Sequence, residues 1–191
     1  IFKFVYFQSV QIKKEILFIS NLISIFRILL LIPVSYFLLT DFTGKNTLII
    51  ILVLCMYFSD LLDGYLARKL GQVSEFGKII DPLADKISVI FISLILVYLD
   101  KIPVWFFLTV VIRDILIFGF GVYLNRKKDI RLMSNYPGKI AVFSIGLIIL
   151  FAIIDNSFLL EINSYLYFIS LGLIFYSSVL YFNRFLETLK Q

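Results

Sequence analysis

The chain has 191 residues, 61% of them hydrophobic, with a mean hydropathy of +0.99 and a formal net charge of +5. That composition excludes a soluble domain, which needs far more polar surface. The absence of histidine excludes His-based metal sites and His general bases, and the lone Cys55, read as a buried small apolar residue, excludes a disulfide framework. The modest positive charge fits cytoplasmic loops and anionic lipid rather than nucleic acid.

In chain order, residues 1–15 read as an interfacial helix lying on the membrane surface, with Lys3, Lys13 and Lys14 among Phe and Val. Six spans follow, at 17–40, 47–69, 75–99, 103–125, 136–155 and 162–185, each close to the roughly 20 residues a bilayer requires. Pro33 marks a kink and Pro103 a helix start. Arg68, Lys69 and Lys78, then Arg126, Lys127, Lys128, Arg131 and Lys139, then Arg184 and Lys190, fall on the same side as the amino-terminal lysines. The other side holds Lys45 and Lys101 with Asp41, Asp100, Asp155 and Glu161. The excess of cations on one side puts both termini in the cytoplasm. The expected fold is therefore an all-α integral membrane protein, one domain over 1–191, with six transmembrane helices and an amphipathic amino-terminal helix.

Four aspartates interrupt the apolar pattern, as Asp60-x2-Asp63 and Asp81-x3-Asp85. An Asp at mid-span costs about 2.5–3.5 kcal/mol, so four of them would cost about 10 kcal/mol if nothing neutralised them. Asp63 and Asp81 are equally far in sequence from a turn centred near Gln72, and Asp60 and Asp85 are nearly so. Two antiparallel helices would bring all four to matched depths, each pair sharing one helix face. Hard divalent cations, Mg²⁺ or Mn²⁺, suit such an oxygen donor set, and four carboxylates can hold two ions for phosphoryl-transfer chemistry. Gly64 and Ala67 keep the face beside Asp63 shallow, Arg68 adds a planar cation suited to a diphosphate, and Gly77 does for the third span what Gly64 does for the second. Close helix packing is the alternative use of both glycines.

The stretch Asp60-Leu-Leu-Asp63-Gly64-Tyr-Leu-Ala67-Arg68, with Gly77-Lys-Ile-Ile-Asp81-Pro-Leu-Ala-Asp85, resembles the signature of the CDP-alcohol phosphotransferase family at all eight fixed positions. That resemblance implies transfer of a phosphatidyl or related group from a CDP-linked donor to an alcohol, with release of CMP. It implies Asp60, Asp63, Asp81 and Asp85 as metal ligands, Asp85 also as the general base, and Asp60, Gly64, Ala67, Arg68 and Gly77 as the CDP site. It further implies CDP-diacylglycerol as donor, a site open to lipid, a bacterial inner membrane and a homodimer.

Flanking residues resemble one branch, the phosphatidylglycerophosphate synthases and the similar synthase-type cardiolipin enzymes. They are Asp81-Pro82-Leu83-Ala84-Asp85-Lys86 and Asn21-Leu-Ile-Ser24-Ile-Phe-Arg27, where the branch usually has Thr at position 24. The implied acceptor is glycerol 3-phosphate, a small phosphorylated alcohol. Arg27, Lys86, Arg113 and Lys139 are the candidate cations for its phosphate. Arg113-Asp114 stands where the branch has Arg-Glu and also reads as an internal ion pair; Lys139 also reads as an ordinary span flank. Ala141 replaces an expected second lysine and Val142 a threonine. The same chemistry with phosphatidylglycerol, inositol phosphate or serine as acceptor therefore stays open. A cation transporter is the alternative from another class; it predicts acids spread through the membrane depth.

Overall fold

The computed structural model describes residues 18–71, 77–128 and 135–190. Seven helices account for nearly all of them: α1 Ile19–Leu29, α2 Leu31–Leu39, α3 Lys45–Lys69, α4 Gly77–Tyr98, α5 Val104–Lys128, α6 Tyr136–Ile154 and α7 Ser157–Lys190. Among the described residues there is no strand. The expected helix at 1–15, the turn at Gln72 and Arg131 lie outside the described residues. The chain forms two compact units, 1–95 and 96–191.

In the first unit the expected span 17–40 is two helices, broken at Leu30. Pro33 lacks an N–H, so the carbonyl of Leu29 loses its partner four residues on. Bonding continues on either side, Leu30 N to Phe26 O at 2.9 Å and Val34 N to Leu30 O at 3.2 Å. Helix α1 is inside-out relative to a water-soluble helix. Its buried residues are Ser20, Asn21, Ser24 and Arg27, while Leu22, Phe26 and Leu29 face outward. A polar stripe turned inward and an apolar one turned outward is stable when lipid is the solvent. Both α1 and α2 pack on α3, whose buried face is Ile49, Met56, Ser59 and Asp63. Cys55 falls beside that face and is exposed, contrary to the expectation that it is buried. With Leu54, Tyr57 and Phe58 it belongs to the outward apolar surface of α3.

In the second unit α6 and α7 form the principal pair and α5 packs on α7. The pair is close because its facing residues are small: Gly138, Ala141, Ser144 and Ala152 are buried on α6. On α7 the fully buried Asn163, Ser170 and Ser177 recur every seven residues, the period of a helix seam. Each finds a partner across the seam. Asn163 Nδ2 donates to Ile148 O at 3.1 Å, Ser144 Oγ to Ser170 Oγ at 3.0 Å, and Ser177 Oγ to Asn135 Oδ1 at 3.0 Å. Helix α5 starts directly after Pro103, as expected, with the amides of Phe106 and Phe107 bonded to the Pro103 carbonyl. The gap expected between the spans 136–155 and 162–185 is shorter, since α6 ends at Ile154 and α7 starts at Ser157. Asp155 adopts a left-handed φ of 57° that ends α6, and Asn156 Oδ1 accepts from Phe158 N at 3.0 Å to open α7.

Ile19–Leu39, Lys45–Lys69, Tyr136–Ile154 and Ser157–Glu187 are long and apolar enough to cross a membrane. The other two expected spans form as helices, but α4 opens with Asp81, Asp85 and Lys86, and α5 carries Arg113 and Asp114 near its middle. Large apolar side chains such as Phe26, Ile32, Phe58, Ile115, Phe143 and Phe175 cover the outside. A water-soluble protein rarely exposes so much contiguous apolar surface. These are the features of an integral membrane protein.

Candidate active site

All four aspartates lie in the first unit, Asp60 and Asp63 on α3, Asp81 and Asp85 on α4. Helix α1 brings two polar side chains between them. Ser24 Oγ lies 3.1 Å from Asp63 Oδ2 and 2.6 Å from Asp81 Oδ1, so these carboxylates from different helices meet across one hydroxyl. The matched depth read from the spacing is thus present for Asp63 and Asp81. Arg27 ties in the rest. Its guanidinium pairs with Asp63 and Asp85, and its Nη1 lies 3.3 Å from Asp60 Oδ1. Arg27 Nε also donates to Ser59 Oγ at 3.3 Å.

Burial grades the cluster. Asp63 and Arg27 are almost wholly enclosed, while Asp60 and Asp85 keep 42% and 44% of their side-chain surface exposed. The site therefore has a sealed floor at Asp63 and an open mouth at Asp60 and Asp85. Beside the mouth, Arg68 folds back over Gly64, where an added Cβ would come within 3.7 Å of Arg68 Nη1. Arg68 itself is exposed and Ala67 half-buried, so this end of α3 presents a shallow surface under a cation. Gly77, the first residue of α4, is buried, and Lys86 is half-buried beside Asp85.

The donor count indicates what the cluster lacks. Ser24 has one O–H, yet three acceptors lie within 3.2 Å of its oxygen: Ser20 O, Asp63 Oδ2 and Asp81 Oδ1. It satisfies one at a time. Four carboxylates gathered around Arg27 also leave an excess of negative charge in a partly enclosed site. A hard divalent cation fits such an all-oxygen set. In the arrangement seen here Arg27 occupies the space between Asp60, Asp63 and Asp85, and among the described residues no three acidic side chains converge as ligands of one ion.

The remaining candidates, Arg113 and Lys139, lie in the second unit. Arg113 Nη1 is 2.7 Å from Asp114 Oδ1, so the internal ion pair is present. Its Nε is buried and has no hydrogen-bond partner among the described residues. The guanidinium lies near the start of α6, where a Cβ on Gly138 would meet Arg113 Nη2 at 3.4 Å and Asn135 Oδ1 at 2.5 Å. Asn135 caps α6 by accepting from Gly138 N at 2.7 Å. Lys139 is exposed, and Ala141 is fully buried in the α6 seam.

Sequence reasoning missed Ser59 and Asn135, and took Ser24 only as a variant of threonine. The available signal for Ser24 was the spacing Ser20, Asn21, Ser24, Arg27, which lines one face of α1 with polar groups. For Ser59 it was the position four residues before Asp63.

The model of the CDP-alcohol phosphatidyltransferase family matches residues 17–178, most of the chain and all of the carboxylate cluster. The chain belongs to the CDP-alcohol phosphatidyltransferase family. Among its relatives is the CDP-diacylglycerol–glycerol-3-phosphate 3-phosphatidyltransferase of Aquifex aeolicus, 36% identical over 170 residues that cover 85% of this chain and 93% of that one. The enzyme of the same name from Bacillus subtilis is 33% identical over 129 residues, 64% of this chain and 65% of that one. A Drosophila melanogaster protein named "Probable cardiolipin synthase (CMP-forming)" is 33% identical over 114 residues, 59% of this chain and 34% of that one. The family is generally metal-dependent and uses CDP-alcohol donors and alcohol acceptors in a membrane setting.

Proposed function

We propose that this protein transfers a phosphatidyl group from CDP-diacylglycerol to glycerol 3-phosphate, forming phosphatidylglycerophosphate and CMP. The observation that carries this reading is the meeting of Asp63 and Asp81 across Ser24, with Asp60 and Asp85 at the open mouth. The similarity to the Aquifex aeolicus enzyme, over 85% of this chain and 93% of that one, supports the choice of substrates.

Asp60, Asp63 and Asp81 would hold Mg²⁺ or Mn²⁺, with Asp85 as ligand or border of a second ion. The ions, when bound, offset the charge of the diphosphate and of the departing CMP. Arg68, over the shallow surface of Gly64 and Ala67, pairs with the diphosphate, and Gly77 gives it room at the start of α4. Asp85, on the exposed side of the cluster, accepts the proton of the acceptor hydroxyl. The hydroxyl oxygen bonds to the phosphorus that carries diacylglycerol, the bond from that phosphorus to the CMP oxygen breaks, and CMP leaves as a phosphate monoester. Arg27 and Lys86 are the candidate cations beside the carboxylates for the acceptor's phosphate; Arg113 and Lys139 are those of the second unit. Six spans, a surface helix at 1–15, a bacterial inner membrane, cytoplasmic termini and a homodimer complete the reading; the helix boundaries between 19 and 190 support the spans, and the bacterial relatives support a bacterial membrane.

A second reading keeps the chemistry and takes phosphatidylglycerol as acceptor. It is favoured by Ala141, whose burial puts packing where a second cation is expected, and by the similarity to the Drosophila protein. The product decides between them. Purified protein given CDP-diacylglycerol and a mixture of glycerol 3-phosphate, phosphatidylglycerol, inositol phosphate and serine should form phosphatidylglycerophosphate, identified by mass. Cardiolipin as the sole product would transfer the assignment to the second reading.

A further inference from the structure

Arg27 reaches three of the four aspartates from a helix that carries none of them. It stands in the last turn of α1, and only 2% of its side chain is exposed. Nη1 faces Asp60 Oδ1 and Asp85 Oδ1, Nη2 faces Asp63 Oδ2, and Nε donates to Ser59 Oγ at 3.3 Å. All three nitrogens of the guanidinium are thus engaged, and its plane fills the space between the carboxylates. A hard divalent cation takes carboxylate oxygens at about 2.0–2.6 Å. An ion shared by Asp60, Asp63 and Asp85 would stand where the guanidinium stands. Two features give the guanidinium a way out. It bonds to both residues of the open mouth, Asp60 and Asp85, which keep 42% and 44% of their side-chain surface exposed. Helix α1 also ends at Leu29, so its last turn can adjust at the break before α2.

We propose that Arg27 is an exchangeable counter-cation. It holds the carboxylates of α3 and α4 together, and it is displaced toward the mouth when a divalent cation enters. The inference rests on the metal site proposed above and adds a competitor that the protein itself supplies. Gathered carboxylates repel one another, and the guanidinium offsets that repulsion. The ion must break the pairs with Arg27 before it binds, so its affinity is lower than the carboxylates alone would give. In this role Arg27 is a positioning residue that acts through the aspartates. The competition depends on the planar fork, which pairs with several carboxylates at once; a lysine ammonium of the same charge is a compact point and cannot.

The test is a titration of the full chain in detergent with Mn²⁺ alone, without substrates, in which electron paramagnetic resonance counts the free ion. Arg27→Gln removes the competitor and should tighten Mn²⁺ binding about tenfold or more, the scale of one charge-assisted hydrogen bond. Arg27→Lys keeps the charge and loses the fork, so it should bind Mn²⁺ more tightly than the parent and less tightly than Arg27→Gln. Thermal unfolding gives a second readout: in chelator Arg27→Gln should melt below the parent, and Mn²⁺ should raise its midpoint by more than it raises the parent's. If Arg27→Gln does not fold, Arg27→Lys carries the test alone. A merely structural arginine predicts weaker Mn²⁺ binding in both variants, and a simple effect of its charge predicts that Arg27→Lys binds like the parent; either result would overturn the proposal. Mn²⁺ bound by the parent but no more tightly by the variants overturns this inference and leaves the proposed function standing. Mn²⁺ bound by none of the three overturns the inference together with the metal site on which it rests.

Discussion

Asp85 and Asp63 have different surroundings and should fail differently when altered. Asp85 sits at the exposed mouth and is assigned to the acceptor hydroxyl, so Asp85→Asn should lower kcat by about 10²–10⁴ while CDP-diacylglycerol still binds. Asp63 is enclosed and paired with Arg27 and Ser24, so Asp63→Asn should weaken metal-dependent donor binding as well as turnover. Equilibrium binding of the donor with and without chelator separates the two; equal loss of binding in both variants would contradict the roles. Ser24→Thr keeps the bridging hydroxyl and should retain activity, whereas Ser24→Ala should lose about tenfold or more, because Asp63 and Asp81 then face each other without a donor between them. A steady-state CMP assay on both variants checks this. The aspartates were legible in the sequence because a carboxylate in an apolar run is expensive, and its spacing fixes which face it shares. Ser24 and Ser59 were not, because serine is common in apolar helices and becomes informative only when a neighbouring helix is known. The central place of Arg27 depends on how α1 crosses α3, which the sequence pattern of α1 leaves open.

At the scale of elements, the helix boundaries were legible where a residue has a single local use. Pro103 opens α5, and α6 begins at Tyr136, where the fifth span was expected to start. They were less so where the determinant is one backbone angle, as at Asp155, whose left-handed φ of 57° ends α6 and lets α7 begin at Ser157, earlier than the expected span start at 162. The seven-residue repeat Asn163, Ser170, Ser177 is a stronger constraint than the apolar composition around it. Ser170 is fully buried and bonded to Ser144, so Ser170→Leu forces a larger side chain into a close-packed seam and should cost about 1–3 kcal/mol. Gly138→Ala places a Cβ 2.5 Å from Asn135 Oδ1 and 2.8 Å from Ser177 Oγ, and should break the cap of α6. Thermal unfolding in detergent reads both, with the exposed Phe143→Leu as a control expected to leave the midpoint nearly unchanged. Unfolding midpoints for Ser170→Leu and Gly138→Ala equal to that of the parent protein would contradict the α6–α7 seam as described.

For the whole molecule, the many large apolar side chains that each unit leaves exposed make lipid the expected solvent, and composition alone conveyed this. The number of crossings is less legible, because α4 carries Asp81, Asp85 and Lys86, and α5 Arg113 and Asp114, within otherwise apolar helices. In the six-span arrangement, single cysteines placed at Asp100 and Asp155, in a Cys55→Ser background, should react with a membrane-impermeant maleimide from the face opposite to one placed at Asn125. Cys55 itself, on the outward apolar face of α3, should stay unlabelled in intact membranes. Labelling of all three positions from one face would contradict six crossings. The central claim is that the cluster on α1, α3 and α4 passes a phosphatidyl group to an acceptor hydroxyl. The most direct test is CMP release by the purified full chain supplied with CDP-diacylglycerol, glycerol 3-phosphate and Mg²⁺ or Mn²⁺. The account predicts CMP and phosphatidylglycerophosphate in equal amounts, both abolished by chelator and by Asp85→Asn. CMP release that continues unchanged in Asp85→Asn, or no release with any alcohol acceptor while donor and metal are bound, would contradict it.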